Sequence, residues 1–206
     1  FFIKQTPTTL PHTHRDHSPN TARIKAATGA TVYAEGPHRA SRPRFESEHS
    51  PESGSDRDFR PDVEVKDGEV IEGAGWALEA VATPGHTANH TAYAFKENNV
   101  LFSGDHVMAW STPVVAPPDG SMGDYMASLQ KRAKRAEPIY FPGHGPAVNN
   151  APRFVAAADA TPVLLPCGPG QRYQPEADGI EQAWTDRTRA VLLASPSNPT
   201  GTSVSA

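Results

Sequence analysis

The stretch that most constrains this chain is His12-Thr13-His14-Arg15-Asp16-His17, which puts four metal-ligating side chains into six residues. Imidazole and carboxylate donors together suit zinc and its first-row neighbours. In an extended chain His12 and His14 point to the same face. A tight turn into a following helix brings Asp16 and His17 round to a second position. One short run can then contribute two ligands to each of two adjacent metals, provided that strand, turn and helix start follow one another here. A lone histidine is ordinarily a core or surface residue. This order of ligands seldom arises without metal function, and the context around it is what tests the motif.

That context comes from the other histidines. The chain has nine, and three of those outside the first cluster follow apolar runs in short glycine turns: Thr83-Pro84-Gly85-His86, Ser103-Gly104-Asp105-His106 and Phe141-Pro142-Gly143-His144-Gly145. A strand, a glycine turn and then a polar ligand is how an α/β scaffold presents a site at its strand ends. Taken with the first cluster, these motifs resemble the metallo-β-lactamase-fold hydrolases, in that family's order, from about His12 to Val148. The resemblance implies a mixed α/β (α+β) αββα sandwich. It also implies that His12, His14 and His86 hold a first metal, that Asp16, His17 and His144 hold a second, and that Asp105 bridges both. His90 and His106 match motif positions that support ligands without being ligands. His38 and His49 lie in a polar loop and read as solvated.

Composition sets the outer bounds. A chain of 206 residues can bury one domain, or one and a part. Its 21 prolines are about twice ordinary usage and predict long loops. A net charge of −4 gives no drive towards nucleic acid. The single cysteine, Cys167, excludes an intramolecular disulfide and fits a reducing, cytoplasmic setting. No apolar run reaches the roughly 18 residues that a spanning helix needs, and Phe1-Phe2-Ile3 is too short for a signal-peptide core.

Along the chain, Pro7 and Pro11 interrupt the approach to His12, since proline lacks the N–H that a central strand donates. The family opens with several strands before this point. The sequence therefore reads as a metallohydrolase without its opening sheet, an incomplete sandwich. Ser18-Pro19-Asn20 predicts a helix start, with Ser18 as the cap, and Gly29 its end. Residues 31–34 predict a strand. Residues 35–61 predict a polar loop whose Arg39, Arg42 and Arg44 read as solvated, ahead of an alternative in which they meet an anionic substrate. Alternation predicts strands over 63–65, 69–72, 77–81, 90–95 and 100–102, with Asp67-Gly68 as a hairpin turn. Residues 107–121 read equally as a substrate wall or as simple packing. Residues 123–136 predict an amphipathic helix with Tyr125, Met126 and Leu129 on one face. The basic end of that helix, Lys131, Arg132, Lys134 and Arg135, complements the helix dipole. Ile139-Tyr140-Phe141 is the strand that delivers His144.

The character changes near residue 150, which divides the chain into a metallohydrolase-like part (1–150) and a second piece (151–206). The second piece predicts strands over 161–165 and 189–194 around a helix over 177–184, a βαβ appendage. From about residue 154, and above all in Ser195-Pro196-Ser197-Asn198-Pro199-Thr200-Gly201, it resembles a fragment of the fold-type I aminotransferases. The last lysine of the chain is Lys134, so this piece has no lysine for a Schiff base and no pyridoxal phosphate (PLP) is expected.

The function implied by the resemblance is metal-dependent hydrolysis of an ester, thioester or phosphodiester, in a small molecule or RNA. The segment from Leu101 to Leu129 looks most like the branch of lactamase-B-like endoribonucleases and glyoxalase-II-like or thioesterase-type proteins. Two divalent metal ions are expected, zinc first, with manganese or iron as alternatives. Asp16 orients the nucleophile or moves a proton, and Asp105 bridges. The competing expectation is a shortened hybrid chain that binds metal at most and turns little over. A PLP-related protein is a distant third.

Overall fold

The computed structural model describes residues 7–41, 54–109, 111, 113–116, 118–158, 177–183 and 185. The chain divides into two compact units, Phe1–Asp159 and Ala160–Ala206.

The first unit is built on two sheets. The smaller is all parallel, in the order β1 (Thr8–Thr9), β2 (Val32–Ala34), β3 (Val63–Glu64). A parallel pair needs a crossover, and helix α1 (Thr21–Thr28) lies in the one between β1 and β2. The two prolines before His12 limit this first strand but do not prevent it. The N–H groups of Thr8 and Leu10 donate to β2 and its approach, at 3.0 and 2.9 Å. Residues 7, 9 and 11 alternate to the other side, so Pro7 and Pro11 fall where β2 asks for no donor. Ser18 is not the cap of α1. Its hydroxyl turns to Asp56 Oδ2 at 2.5 Å, and Asn20 occupies the N-cap without a side-chain bond. Gly29 closes the helix in the left-handed conformation at φ 70°.

The larger sheet runs in chain order through β4 (Val70–Gly73), β5 (Trp76–Ala82), β6 (Thr91–Phe95), β7 (Val100–Gly104), β8 (Ile139–Pro142) and β9 (Val148–Asn149). Its pairs are antiparallel except β7–β8, which are parallel and joined through helix α2 (Met122–Ala133). The hairpin is not at Asp67-Gly68, because β3 and β4 belong to different sheets and that turn passes the chain between them. The tight hairpin is β4–β5, where Gly73 pairs with Trp76 around Ala74-Gly75 and Gly75 takes φ 81°.

Period-two alternation buries both faces of the large sheet. Ala80 and Tyr93 pack with Val65 and Ile71 on the side shared with Tyr33 of β2. Val81, Ala92, Ala94, Leu101 and Tyr140 pack on the other side against Leu129 of α2 and Ala151 and Val155 of α3 (Ala151–Ala158). This is a mixed α/β sandwich. Ala151 and Val155 of α3 enter the core of the first unit, which therefore continues past the boundary at 150 read from the sequence.

Ser121 caps α2 by accepting from the Asp124 N–H at 3.3 Å, and Tyr125, Met126 and Leu129 form its apolar face as predicted. Its basic end is only partly solvated. Arg132 is fully buried, with its guanidinium carbon 5.1 Å from the Tyr140 ring centre and one N–H donated to the Ser103 carbonyl at 3.3 Å. The stripe Ser128, Leu129, Arg132 faces the sheet, and position overrides charge.

In the second unit the described element is helix α4 (Ala177–Ala183), where the sequence predicts one. The strands predicted at 161–165 and 189–194, and the aminotransferase-like run at 195–201, lie outside the described residues. So do Arg42, Arg44, His49 and Trp110. Among the described residues no helix is long and apolar enough to cross a membrane.

Candidate metal centre

Strand ends deliver the candidate ligands. The chain leaves β1 into His12–His17, where His14 forms an isolated bridge with Ser55. The N–H groups of His17 and Ser18 then both close on the His14 carbonyl at 3.0 Å. That turn swings Asp16 and His17 away from the face of His12 and His14. The β5–β6 connection supplies His86, the end of β7 supplies Asp105, and the turn after β8 supplies His144.

The structure brings all of the predicted ligands together, as a group of three (His12, His14, His86) and a group of four (Asp16, His17, Asp105, His144), with the donor atoms of each group within 4.8 Å of one another. His12 Nε2 and His86 Nε2 lie 3.1 and 3.0 Å from His14 Nδ1. In the second group, His144 Nε2 is 3.1 Å from Asp16 Oδ2. His17 Nε2 and His144 Nε2 are 3.4 and 3.5 Å from Asp105 Oδ2. The same Asp105 oxygen lies 4.0 Å from His12 Nε2 and 3.8 Å from His86 Nε2, so it faces both groups.

These spacings fit a metal. Donors bound at about 2.1 Å around one tetrahedral ion sit roughly 3.4 Å apart, the scale observed here. His12 Nδ1, His17 Nε2 and Asp105 Oδ1 are buried without a hydrogen-bond partner among the described residues. Buried polar atoms are normally satisfied, and a cation between the groups would engage His17 Nε2.

The electrostatics differ between the groups. Burial, followed by the neighbouring histidines, holds His12 well below its usual range. Burial and then His86 bring His14 down to about 4. Burial also lowers His86, against the pull of the Val114 carbonyl and Asp105. All three rings therefore stand neutral near pH 7, as ligands must. At His17 burial opposes charge, but contact with Asp105 and the charges of Asp105 and Asp16 outweigh it and raise the group. Asp105 is lowered, since His17 and then His86 and His144 outweigh its burial. A field that favours an imidazolium favours any cation placed there.

Supporting residues fix the rings. His86 Nδ1 donates to the Val114 carbonyl at 2.6 Å, which leaves its Nε2 lone pair directed at His14. His90 Nε2 accepts the Asp105 backbone N–H at 3.1 Å, so its Nδ1 carries the proton to Thr83 Oγ1 at 2.8 Å. His106 is fully buried with its ring 4.6 Å from that of Tyr125, whose hydroxyl donates to the His106 carbonyl at 2.9 Å. Neither His90 nor His106 joins a ligand group. Gly143 leaves room at the site, since a Cβ there would lie 2.3 Å from Asp105 Oδ1 and 2.9 Å from His17 Cε1.

His38 is not solvated. Its side chain is 6% exposed and its Nε2 lies 3.3 Å from Asp119 Oδ1. Asp119 is held down at about 2, because its contacts with His38 and Ser55 outweigh its burial. Nothing in the sequence pairs these two residues, which lie in loops far apart along the chain. Arg39, read as solvated, is exposed, and it donates to Glu35 and to the Ala88 carbonyl.

A family model described as the metallo-beta-lactamase superfamily matches residues 10–144. The lactamase-like protein aptB of Emericella nidulans is 38% identical over 96 residues, covering 45% of this chain and 30% of its own. The atrochrysone carboxyl ACP thioesterase AgnL7 of Paecilomyces divaricatus is 28% identical over 146 residues, covering 69% of this chain and 38% of its own. The chain thus spans well under half the length of these curated relatives. Among solved structures, a metallo-beta-lactamase family protein from Thermus thermophilus superposes with a TM-score of 0.58 at 22% identity, over 75% of this chain and 60% of that one.

Proposed function

The chain belongs to the metallo-β-lactamase superfamily, and from that membership we propose a hydrolase that uses two divalent metal ions to cleave a thioester. The observation that carries the reading is Asp105 Oδ2, which lies within 4.0 Å of donors in both ligand groups. His12, His14 and His86 would hold one ion. Asp16, His17 and His144 would hold the other, with Asp105 shared. Zinc is the first choice for this nitrogen and oxygen donor set, with manganese or iron as alternatives. Bound metal would supply Lewis acidity, making water acidic enough to ionise near neutral pH and polarising the scissile carbonyl.

The chain's own residues supply position and proton handling. The Asp16 side chain is 56% exposed, at the solvent side of the second group, and Oδ2 already faces His144. Its Oδ1 can accept a proton from an incoming water and orient that water towards the carbonyl carbon. Asp105 is buried and charged, and it spaces the two groups. A thiolate is a less basic leaving group than an alkoxide, so thioester cleavage asks less of a general acid than ester cleavage does. Asp16 and Asp105 offset only part of the charge of two divalent ions, so the loaded site attracts anionic substrates. The thioesterase name of one relative supports the same substrate class.

The test is metal analysis of the purified protein, followed by hydrolysis assays on generic acyl thioesters, lactones, phosphodiesters and RNA, with Asp105→Ala as control. Two ions per chain and thioester turnover abolished by Asp105→Ala are expected. A chain without bound metal, or turnover indifferent to Asp105, would refute the reading.

A further inference from the structure

One buried polar network touches the site without contributing a ligand. Thr13 sits between His12 and His14 and is fully buried. Asn89 Nδ2 donates to Thr13 Oγ1 at 3.1 Å and to the carbonyls of Gly36 and Pro37 at 3.3 Å each. Thr87 Oγ1 donates to Asn89 Oδ1 at 2.9 Å, which fixes that amide. With Asn89 donating to it, the Thr13 hydroxyl turns its own proton to His38 Nδ1, 3.1 Å away. His38 Nε2 then faces Asp119 Oδ1 at 3.3 Å. Ser55 Oγ donates to Asp119 Oδ2 at 2.6 Å, and Ser41 ties down the same loop through the carbonyls of Asp119 and Pro118, at 2.5 and 2.8 Å.

That loop carries Val114, whose carbonyl orients His86. Val114 is 67% exposed, so packing of its own side chain does not hold the carbonyl in place. Polar tethers must do so. Gly120 N–H bonds Ala116 O, and Ser121 N–H bonds Gly85 O, both at 2.8 Å, and the network through Asp119 ties the loop to the segment that bears His12 and His14.

We propose that His38 and Asp119 are positioning residues for the three-histidine group. The pair joins the loop containing Val114 to the His12–His14 segment, and so keeps the His86 ring in one tautomer with Nε2 turned to His14. The inference rests on the metal-site reading above, and its first readout does not need metal. Long-range 1H–15N spectra of the protein without added metal report the tautomer of the His86 ring, assigned with a His86→Ala variant. The wild-type ring should be protonated on Nδ1 alone. In His38→Ala and Asp119→Ala it should become a mixture of tautomers.

The second readout is stepwise zinc titration against a chromophoric chelator, in which the three-histidine step is the one lost in His86→Ala. Both alanine variants should weaken that step by about 10–100-fold, the usual range for residues that orient ligands. The other step should change by less than about threefold, and the double variant should lose no more than either single one. Asp119→Asn keeps the shape and the Ser55 acceptor but removes the charge, and should fall between wild type and alanine. It also keeps the test alive if the alanine variants fail to fold. Lys25→Ala, which removes an exposed ion pair with Asp62, should change neither readout. A His86 ring that stays in one tautomer in the His38 and Asp119 variants overturns the proposal. A wild-type protein that binds no zinc overturns the functional reading instead, and the ring spectra still decide this one.

Discussion

Gly143→Ala should separate the site from the fold. The added methyl would sit 2.3 Å from Asp105 Oδ1 and 2.9 Å from His17 Cε1. An ordinary carbon–oxygen contact is roughly 3.4 Å, so the carboxylate or the turn must give by about 1 Å. Ligand bonds near 2 Å have no such slack, and working sites hold their groups to within about 0.5 Å. The expected loss is about 100-fold in affinity at the four-residue group, or roughly 2.8 kcal/mol. The backbone should tolerate the change, because Gly143 is not among the glycines at positive φ, and a tolerated Gly→Ala change stabilises by about 0.4–1 kcal/mol through the unfolded chain. The measurements are zinc competition against a chromophoric chelator and thermal unfolding without metal. Gly123→Ala, where a Cβ meets nothing within 4 Å, is the control and should bind zinc normally. Wild-type affinity in Gly143→Ala would refute the argument, because the Asp105 carboxylate could not then be both a ligand and where the structure puts it.

Four further outcomes are expected. Asp105→Asn should reduce zinc content at both steps and lower thioester turnover by at least about 100-fold, whereas Asp16→Asn should spare the three-histidine step; metal analysis and chelator titration distinguish them. Leu129→Ala removes a buried core side chain from α2 and should cost about 2–4 kcal/mol in denaturant unfolding. Arg132→Met should leave stability unchanged or raise it, since Nε and Nη1 of that buried cation find no partner among the described residues and apolar replacements of buried charges are often neutral or better; a loss above about 2 kcal/mol would contradict this. Asp119 titrates at about 2 against an ordinary 3.8, so its stabilisation is complete above about pH 4 and disappears as the pH falls towards 2; the stability gap between wild type and Asp119→Asn should shrink over that window.

The clustering of the candidate ligands was legible because nearly all of its information is local. His12 to His17 are contiguous, and His86, Asp105 and His144 each announce themselves by a glycine turn after an apolar run. The helix α2 face was legible from its period, and the strands from their alternation. What escaped depends on pairings between distant segments. His38 looks solvated until Asp119 arrives from another loop. Arg132 looks like a surface charge until the stripe containing Leu129 is seen against Tyr140. Asp67-Gly68 looks like a hairpin because turn chemistry records a reversal but not which sheet receives the next strand. Pro7 and Pro11 read as an interruption because composition does not show which side of β1 its partner occupies.

The parallel pairing of β7 and β8 has a consequence for folding kinetics. Asp105 leaves the end of one strand and His144 follows the other, and they meet only after the chain has run through α2 and returned. His12 and His17 come from the opposite end of the unit. Pairings so distant in sequence form slowly, because loop-closure entropy is spent before they are made. A folding transition state that lacks them has no assembled donor set to offer a metal, while the native state does. Added zinc should therefore lengthen the lifetime of the native state by slowing unfolding, and leave the refolding rate nearly unchanged.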